Sequence, residues 1–164
     1  MIRHLSRRFF KRFVRDSRGT NFIEAALVTP LLLILTFGII DFGTLCYTYL
    51  AIENGVSQAT RFVVTGRQMD DPANPGTLLN RQDSIKTAMR MATPTLNIPD
   101  GAFSFAHMAP GGSSWTSGVG GPGDLEKVTI SYYYRPMTPL ISTFFSGGQI
   151  QFNVDSTMKN ERYN

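Results

Sequence analysis

The sequence predicts an α+β fold in which one long N-terminal helix packs on a small antiparallel sheet. Two patterns predict it. An uncharged apolar run continues into an amphipathic helical pattern, and segments of alternating apolar residues follow in the second half. The chain has 164 residues, enough for one ordinary domain with an appended segment. With 42% apolar and 17% charged residues, it is not expected to be disordered throughout.

The net charge of +4 is concentrated at the N-terminus. Residues 1–18 hold seven basic side chains and one acid, whereas the remaining residues hold more acids than bases. The body of the protein is therefore mildly acidic, and we expect no nucleic-acid partner. The basic leader allows two interpretations. Leu5, Phe9 and Phe13 recur every four positions, as in a helix lying on anionic lipid. Alternatively, the leader is solvated and only sets the membrane topology.

Residues 25–40 contain no charged side chain, and Glu24 and Asp41 bound them. With its apolar flanks, the run exceeds the ~20 residues that a helix needs to cross the hydrocarbon core. It is longer than the apolar part of a cleaved secretory signal, and no small-residue cleavage site follows it. We therefore predict a single transmembrane helix over residues 20–45, which in a bacterial cell would lie in the inner membrane. Because basic residues stay in the cytoplasm, residues 67–164 are expected to form a periplasmic α+β domain.

The helical pattern continues beyond the membrane segment as an amphipathic helix over residues 46–66. Gly66 is the expected end of this helix. Cys46, the lone cysteine, is expected to be a small packing residue. The apolar stripe is spaced as on one helix face that packs on a sheet, and consists of Leu45, Tyr49, Ile52, Val56, Ala59 and Val63.

The second half of the chain predicts a short helix and three strands. Asp83 or Ser84 is the expected N-cap of the helix, and Pro94 is expected to end it. Alternating apolar residues predict strands over residues 102–108, 125–135 and 150–158.

Three large aromatic residues, Trp115, Phe144 and Phe145, fall in the loops between the predicted strands. We expect them to be plugs of the hydrophobic core. The alternative is that they form exposed contacts to other subunits or to a host or solid surface.

The sequence contains no constellation typical of catalysis or metal binding. One cysteine can form neither an intramolecular disulfide nor a Cys-based zinc site. Residues 118–123 match G-x-G-x-x-G, but the strand predicted after them excludes the helix that a dinucleotide site requires. Asp70-Asp71 and Asp124-Glu126 are expected to be solvated turn charges. We therefore expect no enzyme activity, no metal and no cofactor.

Four residues near the membrane segment have properties that suit a special role. Pro30 lacks an N–H and is expected to kink or locally weaken the helix. Gly38 and Gly43 remove side-chain bulk and permit close packing, although glycines are also simply tolerated in membrane helices. Asp41 is expected at the outer membrane boundary, where its carboxylate reaches the interface.

The entry to the apolar run carries a more specific pattern, in which Gly19 is followed by Thr20 and then by Glu24 at the fifth position. This pattern resembles the processing site of type IV prepilins. The resemblance implies that a prepilin peptidase cuts between Gly19 and Thr20, so that residues 1–19 form a cytoplasmic leader. It also implies that Glu24 pairs with the free amine of Thr20 in a neighbouring subunit. The alternative is that Glu24 reaches the cytoplasmic interface and pairs with nothing.

A longer stretch, residues 15–66, resembles the TadE family of pilin-like proteins from tight-adherence (Flp-type, type IVc) pilus systems. The positions on the family pattern are Glu24, Ala26, Leu27, Val28, Pro30, Phe37, Gly38, Asp41, Phe42, Gly43, Asn54, Ala59 and Arg61. The closing run of residues 158–161 also resembles the family's Asn-Glu tail.

The resemblance implies a pilin-like fold and a minor pilin or pseudopilin that aids pilus assembly and surface adhesion after cleavage. The implied partners are other pilin-like subunits, the inner-membrane pilus assembly platform, the prepilin peptidase and the lipid bilayer. The resemblance also implies that the protein can be incorporated into the extracellular pilus. The alternative is an uncleaved, membrane-anchored periplasmic scaffold or adhesin of the same system.

Overall fold

The structure, a computed structural model, describes residues 17–162. Most of the predicted basic leader, including its apolar repeat, lies outside the described residues. The first described element is the helix α1, Ser17–Val64, with 48 residues and a length of about 72 Å. It ends close to the predicted glycine. Gly66 has φ 67° and donates its N–H to the Val63 carbonyl at 2.9 Å.

The two halves of α1 have different surroundings. Every residue from 20 to 37 is exposed, and this half is long and apolar enough to cross a membrane. The second half packs into a domain. The predicted apolar stripe is buried at Ile52, Val56, Ala59 and Val63, but its first two members remain partly or largely exposed. One continuous helix thus connects an uncovered apolar segment to a folded domain.

The domain contains a four-stranded antiparallel sheet with the strand order β2-β1-β3-β4. Its strands are β1 Phe103–Met108, β2 Thr116–Ser117, β3 Leu125–Tyr134 and β4 Ile150–Lys159. The three predicted strands are confirmed to within two residues at each end. The short β2 was not predicted, because the glycine- and serine-rich loop that contains it lacks an apolar alternation.

The second described helix, α2, spans Arg81–Ala92 and packs on α1. Its N-cap is Asn80, so the predicted cap at Asp83 or Ser84 was wrong. The Asn80 Oδ1 accepts the Asp83 N–H at 2.8 Å, and the Asn80 Nδ2 donates to the Asp83 carboxylate at 2.8 Å. Asn80 is preferred because its side chain satisfies a free N–H of the first turn.

Shorter elements complete the described chain: the 3₁₀ turns Asp100–Ala102 and Ser146–Gly148, and α3, Pro139–Ser142. The core lies between one face of α1, α2 and the inner face of the sheet. Its fully or nearly fully buried apolar residues outside α1 are Ile85, Met89, Ile98, Ala102, Phe105, Val128, Ile130 and Val154.

Strand β3 runs alongside the second half of α1, in the opposite direction. At one end, the Tyr134 hydroxyl lies 2.6 Å from the Thr44 hydroxyl. At the other end, the Glu161 N–H after β4 donates to the Val64 carbonyl at 3.0 Å. Twenty helical residues and nine strand intervals both cover about 30 Å, so helix and strand match in length.

Candidate functional site

The predicted processing site lies where the described helix begins. Gly19, Thr20 and Glu24 are all helical, and Glu24 follows Thr20 by one turn, on the same side of the helix. Thr20 and Glu24 are exposed, and no other described residue forms an ion pair with Glu24. Within the part of the chain that the structure describes, the Glu24 carboxylate is therefore free to meet a partner from outside.

The helix continues through Pro30, which does not end it. Because proline has no N–H, the Ala26 carbonyl one turn earlier lacks its usual helical donor. The two glycines of this half differ in their surroundings. A Cβ on Gly38 would lie 3.7 Å from Ile141 Cδ1, whereas a Cβ on Gly43 would have no neighbour within 4 Å.

Asp41 is buried, with only 4% of its surface exposed, although it lies at the predicted membrane boundary. Its carboxylate accepts two backbone N–H groups, from Met137 at 2.8 Å and from Thr138 at 3.2 Å. The Tyr134 hydroxyl donates to the Asp41 carbonyl at 3.1 Å. Asp41 thus joins α1 to the segment that follows β3, a contact 96 residues apart in sequence that no local pattern reveals.

The segment after β3 leans on the apolar half of α1. Ile141, Phe144 and Phe145 line a shared apolar groove with Gly38 and its helical neighbours. Phe144 is 77% exposed, Phe145 39% and Trp115 45%, so the prediction that these aromatics plug the core was wrong. The physical reason is position: Phe144 and Phe145 lie beside the exposed apolar half of α1. Trp115 lies beside Lys127, which alternates with the buried Val128 in β3 and therefore faces the side of the sheet opposite the core.

A second polar cluster lies at the other end of the sheet, around Glu126. This residue is fully buried in β3, so the prediction of a solvated turn charge was wrong. Its Oε2 accepts the Gly120 N–H at 2.7 Å and the Asn160 amide at 3.4 Å. Burial raises the pKa of the Glu126 carboxyl, although these two hydrogen bonds and the positive charge of Arg81 oppose the shift.

The C-terminal Asn-Glu tail closes this cluster. The Asn160 N–H donates to the Asp124 carbonyl at 2.7 Å, and its amide donates to the Gly121 carbonyl at 2.9 Å. Asp124 itself holds the turn, since its carboxylate accepts the Gly121 N–H at 2.7 Å. The tail that resembles the family's Asn-Glu ending therefore has a physical role, because Asn160 connects the end of β4 to the loop before β3.

Arg81 joins the same cluster to the end of α1. Its guanidinium donates to the Val63 carbonyl at 3.2 Å and to the Gly120 carbonyl. The last carbonyls of a helix lack intrahelical donors and attract positive charge. The sequence analysis missed this residue, and the only available signal was a basic side chain at the start of α2.

The remaining predicted polar and cysteine residues have local roles. The Asp71 carboxylate accepts the Asn74 amide at 2.8 Å and the Ala73 N–H at 2.9 Å. These two hydrogen bonds hold a turn and lower the pKa of the Asp71 carboxyl. Cys46 is exposed on α1 and not packed, contrary to the prediction. Among the described residues, no three histidine, cysteine or acidic side chains are placed to hold a metal ion.

Comparison with known proteins bears on the helix. A family model described as TadE-like protein matches residues 19–61, about a quarter of the chain. No curated protein and no solved structure matches the chain. The family match begins at Gly19 and includes Glu24 and Asp41. It confirms, for these residues of the helix, the resemblance to the TadE family that the sequence indicated.

Proposed function

We propose that this protein is a minor pilin or pseudopilin of a tight-adherence (type IVc) pilus, with a structural rather than a catalytic role. The TadE-like segment implies a place in such a pilus system. The observation that carries the finer proposal is the uncovered first half of α1, headed by Gly19 and Glu24. In this proposal the protein aids pilus assembly and surface adhesion after a prepilin peptidase has removed residues 1–19.

The exposed surface of the first half of α1 supports the proposal that this part of the helix occupies two environments in turn. Apolar side chains on all its sides are exposed, among them Phe22, Leu27, Leu31 and Leu35. Such a surface is stable only where water is excluded. Lipid supplies that environment while the protein is anchored in the membrane, and the helices of neighbouring subunits supply it in the fibre.

Glu24 is the residue that would direct the transfer between these environments. A carboxylate inside an apolar environment is costly unless a positive group pairs with it. Cleavage after Gly19 creates such a group, the ammonium of Thr20. In an assembling fibre, the Glu24 of one subunit would pair with the Thr20 amine of its neighbour, and that pairing would fix their axial register.

The proposal implies contacts with four partners: the lipid bilayer, other pilin-like subunits, the inner-membrane assembly platform and the prepilin peptidase. The basic leader would hold the N-terminus in the cytoplasm, which places the α+β domain in the periplasm. The peptidase would meet its bond at the cytoplasmic face. Glycine has a low helix propensity, which makes the helix easy to unwind at Gly19 for cleavage.

The N-terminal residue of the membrane-extracted protein tests the proposal directly. We expect mass spectrometry to find Thr20 at the N-terminus in cells that have the prepilin peptidase, and the uncut chain in cells that lack it. An uncut chain in both strains would overturn the proposal. It would favour the permanently anchored periplasmic scaffold or adhesin.

A further inference from the structure

We infer that residues 136–145, here called the junction loop, insert into the outer leaflet of the membrane beside the transmembrane helix. The loop follows β3 and contains α3. The inference goes beyond the proposed function. It depends on α1 spanning a membrane, but neither on cleavage after Gly19 nor on assembly of a pilus.

The position of the loop along α1 places it at membrane depth. Phe144 and Phe145 share an apolar groove with Ile34 and Leu35 of the helix. Ile34 precedes the boundary residue Asp41 by seven positions, which corresponds to about 10 Å along the helix axis. The loop therefore extends from the domain back along the part of α1 that is apolar and uncovered.

The composition of the loop suits lipid. No charged residue occurs between Arg135 and Asp155. Three large apolar side chains of the loop point outward, since Met137 is 74% exposed, Leu140 48% and Phe144 77%. Apolar and aromatic side chains of interfacial segments typically reach about 5–10 Å into the headgroup and acyl boundary, which agrees with the depth inferred from the helix.

The polar groups of the loop are largely satisfied without water. Two prolines contribute no N–H, and the N–H groups of Met137 and Thr138 go to the Asp41 carboxylate. Within the loop, carbonyl oxygens accept the N–H groups of Ile141, Ser142, Phe144 and Phe145 and the hydroxyls of Ser142 and Thr143. Backbone at membrane depth requires such internal partners, which a loop in water does not.

Lipid is the occupant that these observations favour over a second protein chain. The exposed apolar surface of the loop is continuous with that of the membrane segment, because Ile141 contacts the helix at Gly38. The contact with Asp41 holds the loop in this position from within the same chain. The lipid that surrounds the helix therefore meets the loop as well.

Tryptophan fluorescence of the full chain in vesicles tests the inference, because the native chain has a single tryptophan, Trp115. The test protein carries Phe144→Trp together with Trp115→Phe, and the wild type is the matched control. Trp115 lies 5.9 Å from the Lys127 ammonium, near the end of β3 that is remote from Asp41. The vesicles contain phosphatidylethanolamine and phosphatidylglycerol, with or without bromine atoms on the acyl chains.

We expect brominated acyl chains to reduce the emission of the tryptophan at position 144 by about twofold, and acrylamide in the water to affect it little. The emission of Trp115 should respond to acrylamide and not to bromine. A second probe, Leu140→Trp with Trp115→Phe, should behave as the probe at position 144. It guards against a local effect of one substitution.

Two results would overturn the inference. Quenching of both loop probes by acrylamide, without any effect of bromine, would place the loop in water. Protection from both quenchers that disappears as the protein is diluted in lipid would mean that a second copy covers the loop. Because the vesicles contain neither peptidase nor pilus, failure of the proposed function would leave the expected quenching unchanged.

Discussion

The Met137 N–H donates to the Asp41 carboxylate at 2.8 Å, across 96 residues of sequence. This bond joins the middle of the long helix to the loop that follows β3. Thr138 donates a second N–H to the same carboxylate at 3.2 Å. The acid that the sequence predicts at the membrane boundary is thus buried, and it holds this loop to the helix from inside the protein.

Replacement of Asp41 should release the loop. In Asp41→Ala the two N–H groups lose a charged acceptor, and hydrogen bonds to charged groups contribute about 1.5–3 kcal/mol each. We expect hydrogen exchange of the Met137 and Thr138 amides to accelerate by about tenfold or more in detergent micelles. Asp155→Ala is the control, because Asp155 is exposed and only faces Lys127 on the surface. Unchanged exchange in Asp41→Ala would contradict the assigned role.

The C-terminal tail should be necessary for the stability of the domain. Asn160→Ala removes the amide that donates to the Gly121 carbonyl and to Glu126, and leaves buried acceptors without that donor. We expect the free energy of unfolding to fall by about 1–3 kcal/mol in a denaturant titration. Asn153→Ala, on the exposed side of β4, should change it by less than about 0.5 kcal/mol. Equal effects of the two variants would refute the proposed role of the tail.

Glu126 should make the stability of the domain depend on pH. Burial raises the pKa of its carboxyl in the folded state, so folding favours the protonated form. Its stabilising contribution is complete below the ordinary pKa of glutamic acid and is lost as the pH rises through the folded pKa.

Glu126→Gln should remove this dependence. The stability of the wild type relative to the variant, measured by thermal unfolding, is expected to decrease as the pH rises above the ordinary pKa of glutamic acid, and to become constant once the pH has passed the folded pKa. The difference isolates Glu126, because the other two charge-bearing residues that act on its carboxyl, Arg81 and the β1 residue His107, are present in both proteins. A difference that is constant across this pH range, or that increases with pH, would disprove the prediction.

Gly55 should be needed for the close contact between α1 and α2. A Cβ at this position would lie 2.6 Å from Thr93 Cγ2 and 2.7 Å from Met89 Sδ. We expect Gly55→Ala to destabilise the domain by about 1–3 kcal/mol, visible as a lower Tm. Gly43→Ala is the matched control on the same helix. It has open space around it, and should be neutral or stabilising by up to about 1 kcal/mol.

Glu24 should be needed for entry into the fibre but not for cleavage. In Glu24→Ala, a neighbouring Thr20 amine would be left without its partner, and breaking a buried ion pair costs about 3–5 kcal/mol. We expect the amount of this variant in sheared pili to fall at least about tenfold relative to the membrane fraction. Glu53→Ala, an exposed acid on the same helix, should be incorporated normally. Normal incorporation of Glu24→Ala would disprove the pairing.

The elements that could be predicted from the sequence depend on local periodicity. The stripe from Ile52 to Val63 and the alternation in β3 both follow from which side chains must leave water. Asn80 was missed as a cap, although the choice among nearby polar residues is also local. The same holds for the candidate site: Gly19 and Glu24 could be predicted because they form a motif that is local in sequence.

The contacts of Asp41, Glu126 and Asn160 could not be predicted, because each depends on a partner distant in sequence. The local sequence around an acid in an apolar segment does not reveal which distant N–H groups will donate to it after folding. The exposure of Phe144 was likewise missed for a physical reason. A large aromatic residue usually leaves water by entering the core, but here it lies beside the exposed apolar half of α1.

The side-by-side arrangement of α1 and β3 also determines how the domain would respond to mechanical force. Traction on the N-terminal end of α1, directed along its axis, would act in shear on contacts spread over about 30 Å. Hydrogen bonds flank those contacts at both ends, between Tyr134 of β3 and Thr44 and from Glu161, after β4, to Val64. Under such a force these contacts would have to break at the same time and could not break one after another. A helix anchored in this way can be pulled lengthwise while its domain stays folded.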